Sequence, residues 1–192
     1  MNRHMERLRT RIAVCAALLV VASSNALGAT SSAGAAQPAQ FLQKAMLGSM
    51  LEVELGEVAQ RNAATTGIHA LGSRMVRDHG KIGRILQMLS KDKGVVVPAS
   101  LASDDRSTVT ALSTKTGVEF DAAYAQRMVV SHEKLIALFD EATTGSDPDV
   151  AEFARRALPI LREGKRLAEV YREVTSRHVP AQPEARTVAQ AG

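Results

Sequence analysis

Three side chains able to ligate a metal or move a proton interrupt helical stripes that are otherwise apolar or small: Glu52, His79 and His132. In Arg74-Met75-Val76-Arg77-Asp78-His79-Gly80-Lys81-Ile82, His79 shares one helical arc with Ile68, Met75, Ile82, Leu86 and Leu89, with Leu71 and Ile85 beside it. A polar ring therefore faces a core. His132 lies on the edge of a face carrying Phe120, Tyr124, Met128, Leu135, Leu138 and Phe139, with Ser131 on the opposite edge. Glu52 belongs to the stripe Phe41, Ala45, Gly48, Leu55 and Ala59, while Leu47, Met50, Leu51 and Val58 flank Glu54. Either glutamate could point inward. Glu52 is the choice, because the small residues around it let a neighbouring helix come close.

One carboxylate and two imidazoles are a ligand set that zinc or iron accepts with one or more coordination positions left open. Asp78 and Glu133, next in sequence to the two histidines, are candidates to orient them from outside. The same residues admit a structural reading, in which a buried Glu–His pair holds helices in register without an ion. Two sharper readings fail. The Glu-x-x-His pattern of di-iron carboxylate bundles is absent, since Val76 and Val129 stand three residues before the histidines. Ser131-His132-Glu133 cannot form a hydrolytic relay among themselves, because adjacent helical residues point about 100° apart. No catalytic residue is assigned.

For these three to meet, they must sit at one height on packed helices. Phe41–Arg61 has helix-forming composition without proline. Asn62–Gly67 is a polar link with Thr65 or Thr66 as N-cap, and the second helix runs to about Lys93, where Gly94 stops it before the extended Val95-Val96-Val97-Pro98. A short helix spans about Ser103–Thr116, capped by Ser103 or Asp104, and the third long helix begins near Val118. Asp147 and Pro148 suit the N-cap and first helical position of a last helix reaching about Ser176, with Pro159 expected to bend it. Glu52, His79 and His132 each fall roughly eleven to fourteen residues into their helices, so antiparallel packing at ~1.5 Å per residue brings them level. The expected fold is all-α: an up-and-down four-helix bundle, ferritin-like in plan, with one short extra crossover helix.

Outside the expected bundle, residues 41–176, the chain reads as appendages. Arg3, Arg7, Arg9 and Arg11 precede the apolar run Ile12–Ala22, whose ~11 residues suit a signal peptide and are too short to span a bilayer. Small residues then offer cleavage after Ala26 or Ala29, so residues 1–29 are expected to be a signal peptide and the mature protein periplasmic or associated with the outer membrane. Residues 30–40 read as a flexible spacer and 177–192 as a disordered tail. No second apolar run approaches membrane-spanning length. The only cysteine, Cys15, lies within the leader, leaving the mature chain without thiol or disulfide.

Removing the leader's four Arg and one Glu from 24 basic and 20 acidic residues leaves a net charge of about +1. With two Tyr, four Phe and no Trp, such a chain lacks both the charge and the stacking platforms of a nucleic-acid binder. Lys91-Asp92-Lys93 and the run Arg155, Arg156, Arg162, Lys165 and Arg166 read as solvated faces, with a weak outer-membrane or envelope contact through the last helix as the alternative.

Five segments in order carry a resemblance: Glu52-Val53-Glu54-Leu55-Gly56, Arg74-Met75-Val76-x-Asp78-His79, Gly117-x-x-Phe120-Asp121-x-x-Tyr124, Ser131-His132-Glu133 and Leu158-Pro159-x-Leu161-Arg162-Glu163. Together they resemble the bacterial exported family termed domain of unknown function 4142, described as predicted outer membrane proteins with a ferritin-like bundle. The resemblance implies a four-helix architecture and an envelope location, and supplies no activity. It marks Glu52, Asp78, His79 and His132 as recurrent polar positions. Where the family commonly places a histidine after Leu-Pro-x-Leu-x-x, this chain has Gly164, so a gap or a water is expected there.

Overall fold

The computed structural model describes the backbone of residues 26–177 and the side chains of residues 37–177. The expected leader lies outside the described residues up to position 25, as does the tail from 178 onward. The chain divides into two compact units between Ala36 and Gln37. Of the first, only the helical backbone of residues 26–36 is described, and the packed helices belong to the second.

Five helices succeed one another: α1 (Ala26–Asn62), α2 (Thr66–Asp92), α3 (Ser103–Ser113), α4 (Gly117–Ala142) and α5 (Pro148–Ser176). Among the described residues there is no strand, only an isolated bridge between Ala63 and Gly117. The all-α four-helix bundle with a short crossover helix is as expected, and only the strict up-and-down alternation of directions differs, as the packing below shows. One difference lies at the start of α1, which includes residues 30–40, expected as a spacer. Its alanines are strong helix formers, and they outweigh the local cost of Pro38 within the helix.

Caps fall mostly where the residue chemistry places them. Thr65 Oγ1 accepts from the Ile68 amide, and Asp147 Oδ1 accepts from the amides of Asp149 and Val150, with Pro148 opening α5. Gly94, at φ 65°, turns the chain out of α2. α3 corrects the expected cap: Ser103 is already helical, Ala102 occupies the N-cap, and Asp104 and Asp105 lie in the first turn, where their charge complements the helix dipole. Pro159 is contained within an unbroken α5.

Two apolar clusters fill the bundle. The first joins Phe41, Leu42 and Ala45 of α1 to Leu86, Phe139, Phe153 and Leu161. The second joins Leu55 and Val58 of α1 to Ile68, Leu71, Met75, Phe120, Tyr124 and Met128. The N-terminal part of α1 thus packs with the C-terminal parts of α2 and α4 and the start of α5. The segment containing α3 returns the chain along the bundle, so α2 and α4 run parallel and the order of directions is up, down, down, up. A single long crossover of this kind is the ferritin-like connection.

Two polar clamps hold the ends. Lys93 Nζ reaches Asp147 at 2.6 Å and Asp149 at 3.0 Å, joining the end of α2 to the start of α5. At the other end the buried Asp121 carboxylate accepts from the amides of Ala64 and Thr65, at 2.9 and 3.0 Å, and from the Thr65 hydroxyl at 2.7 Å. Asn62 Nδ2 donates to the carbonyls of Ser113 and Lys115 beside it. The α1–α2 turn is therefore fastened to α4.

Candidate metal centre

Between the two apolar clusters every long helix contributes one position to a single level: Glu52 on α1, His79 on α2, His132 on α4 and Gly164 on α5. Glycines allow that approach. A Cβ at Gly56 would meet the Gly72 carbonyl oxygen at 2.7 Å, and one at Gly48 would meet Leu135 at 2.6 Å. Backbones this close leave little room except for the side chains at the level itself.

Glu52 is wholly buried, and His79 and His132 are 2% and 1% exposed. One ligand atom from each lies within 4.8 Å of the others. The expected convergence of Glu52, His79 and His132 is present. Glu54, the alternative inward glutamate, is only half-buried.

The rings meet at right angles, with centroids 5.3 Å apart and the two Nε2 atoms 3.4 Å apart. His132 Nδ1 lies 2.9 Å from the Met128 carbonyl oxygen, which can only accept, so Nδ1 carries the proton and Nε2 keeps its lone pair. Two nitrogens 3.4 Å apart, each ~2.05 Å from an ion, subtend roughly 110°, the tetrahedral value that zinc takes. Ser131 Oγ donates to Glu52 Oε1, while Oε2 has no partner and lies 4.0 Å from His132 Nδ1. The two Nε2 atoms therefore fit one divalent ion, and the Glu52 carboxylate, within 4.8 Å of a nitrogen on each ring, would complete the set after a small movement toward them.

Burial raises the Glu52 carboxyl pKa above the ordinary value, against the opposing pull of His132, the Ser131 hydroxyl and Arg127. Burial, then the neighbouring His132, holds His79 down at about 3, so its ring is neutral at ordinary pH, the form in which imidazole ligates. A cation at this level would favour the Glu52 carboxylate and relieve its desolvation.

The outer partners differ from those expected. Asp78 turns to the surface and pairs with Arg74 and Arg77, both at 3.1 Å. Glu133 pairs with Lys165 at 3.3 Å. Neither reaches a histidine, because a residue adjacent in a helix is rotated about 100° from its neighbour. Their place is taken by the Met128 carbonyl, which has no residue-type signature, and by Ser131 and Arg127, which helical period alone does not bring to the centre. Tyr124 belongs by period to an apolar face. Its buried hydroxyl nonetheless lacks a partner among the described residues, and burial and then Glu52 push its pKa well above the ordinary value. Gly164 is corrected too: no gap stands there. A Cβ at 164 would lie 2.5 Å from His132 Nε2, so the imidazole fills the space.

Fold and site define a class, a four-helix bundle of ferritin-like order with one carboxylate and two imidazoles buried at one level. The chain belongs to the DUF4142 family, a domain of unknown function that matches residues 24–170. The fold is similar to the crystal structure of a DUF305 fragment from Deinococcus radiodurans, with a TM-score of 0.64, at 16% identity over 73% of this chain and 96% of that one. No curated protein matches the chain.

Proposed function

We propose that this is an exported, non-catalytic binding or stress-related factor that holds one zinc or iron ion at Glu52, His79 and His132. The observation that carries the reading is the Glu52 Oε2 atom, a buried carboxylate oxygen without a hydrogen-bond partner beside two imidazole nitrogens. Leaving such a group bare costs several kcal/mol, and a cation at that point removes the cost. The ion's duty would be sequestration or redox buffering in the envelope. Export rests on the leader-like residues 1–29.

Attachment to the outer membrane through the basic last helix gains little support. Arg155 and Arg156 pair with Glu152, Arg162 with Asp140, Lys165 with Glu133 and Glu169, and Arg166 with Glu163. That face is nearly balanced in charge.

Elemental analysis of untagged mature protein, purified without chelator, tests the reading beside a His79→Ala/His132→Ala double variant. About one zinc or iron per chain in the parent and none in a still-helical variant is the expected result. A parent that stays empty after incubation with each ion overturns it, and the layer is then a register-setting polar core.

A further inference from the structure

The two histidines are not equally supported. The outer nitrogen of His132 is satisfied by the Met128 carbonyl, whereas His79 Nδ1 is buried and has no partner among the described residues. His79 also lines a groove of about 460 Å³ between α1, α2 and the segment 97–99. Ser49 lines the same groove, and its hydroxyl is likewise buried without a partner. Two orphaned polar groups on one cavity point to a ligand that supplies what the protein does not.

The rest of the lining states its chemistry. The Arg84 guanidinium folds back over Gly80, its Nη1 3.8 Å from where a Cβ would stand, and no carboxylate pairs with it among the described residues. Met46 and Met50 offer a flexible apolar wall, and Glu54 lines the groove with no ion-pair partner among the described residues. We propose that this groove binds a small aliphatic carboxylate, its head held by Ser49, Arg84 and the outer edge of His79, its chain lying along Met46, Met50 and the 97–99 segment.

The link to the ion rests on the metal-centre reading. A metal on Nε2 leaves the single imidazole proton on Nδ1, where it donates to the ligand's carboxylate. The result is a carboxylate–histidine–metal arrangement in which the carboxylate arrives with the ligand. Ligand and ion then tighten one another by the same factor.

The test uses the mature protein and hexanoate, monitored by NMR of the Met46 and Met50 methyl groups. In metal-free protein we expect saturable shifts, at least about tenfold weaker binding in Arg84→Gln from loss of a charge-assisted hydrogen bond, and no comparable binding of hexanol. Zinc loading is expected to tighten hexanoate by about fivefold or more. Norleucine binding more tightly than hexanoate, with the gain lost in Glu54→Gln, would support the carboxylate head and identify an amino acid as its source. Absence of saturable shifts, equal binding of hexanol, or no effect of Arg84→Gln overturns the groove, and unchanged affinity on zinc loading overturns the coupling. A protein that takes up zinc but not hexanoate loses only this inference. One that binds hexanoate but never an ion loses the metal reading and the coupling.

Discussion

Around Phe41, Phe139 and Phe153 the bundle interior is closed by edge-on and tilted aromatic contacts, with ring centroids 5.0 to 6.5 Å apart. In the layer of Glu52, His79 and His132, the same four helices come as close but present atoms that need partners, and Glu52 Oε2 and His79 Nδ1 have none. The first region is held by apolar packing; the second gathers titratable groups that an added ion or ligand would satisfy. Stability should depend on the aromatic region in any solution, whereas the polar layer should respond to pH, ions and ligands.

The contrast breaks first under acid. In chelated protein, His79 has a folded pKa of about 3 against an ordinary 6.5, so the unfolded chain takes its proton first as pH falls. Its contribution is complete above pH 6.5 and is lost progressively toward pH 3, about 5 kcal/mol at the limit. Glu52 acts with the opposite sign: its raised pKa gives stability that is present below the ordinary value of 4.5 and is lost as pH rises through the raised one. Urea unfolding at about pH 7, 5.5 and 4 should therefore show an acid loss that His79→Gln removes. Equal slopes in parent and variant would mean that His79 is not held neutral.

Next comes the aromatic region. Phe139→Ala should cost about 3–5 kcal/mol at every pH in that range, from lost burial and the cavity left behind, and should leave metal content unchanged in protein that remains folded. A metal loss in folded Phe139→Ala would show that the two regions are not separable. Smallest is Gly164→Ala, which touches the polar layer alone. The added methyl would meet the His132 ring, and about 1–3 kcal/mol of overpacking is expected, together with lost metal uptake. Retained uptake would place the ion elsewhere than His132 Nε2.

Much of this arrangement is legible in the chain. The period of Met75, His79 and Ile82 puts a ring inside, Thr65 and Asp147-Pro148 announce helix starts, and the small Ala45, Gly48 and Ala59 on the stripe of Glu52 select it over Glu54. These signals are one-dimensional, because helix phase decides which face is buried. What the chain leaves unread depends on distances between helices. The Met128 carbonyl is available at any position, and Arg127 and Ser131 matter only once α1 lies against α4. Asp78 and Glu133 mislead because adjacency in sequence is not adjacency in space. The crossover also escapes periodicity: reversing the direction of α4 changes no stripe, only which ends share a cluster.

The Asp121 latch bears on the order of folding. It closes contacts 56 and 57 residues apart, between the α1–α2 turn and α4, and a loop of that length is costly to close before the helices have met. The hairpin of α1 and α2 can therefore assemble without it, and the latch engages late, when α3 has carried the chain back. A late contact governs how long the native state persists more than how fast it is reached. Asp121→Asn should raise the unfolding rate while leaving the refolding rate nearly as it was, and a variant slowed chiefly in refolding would place the latch in the nucleus.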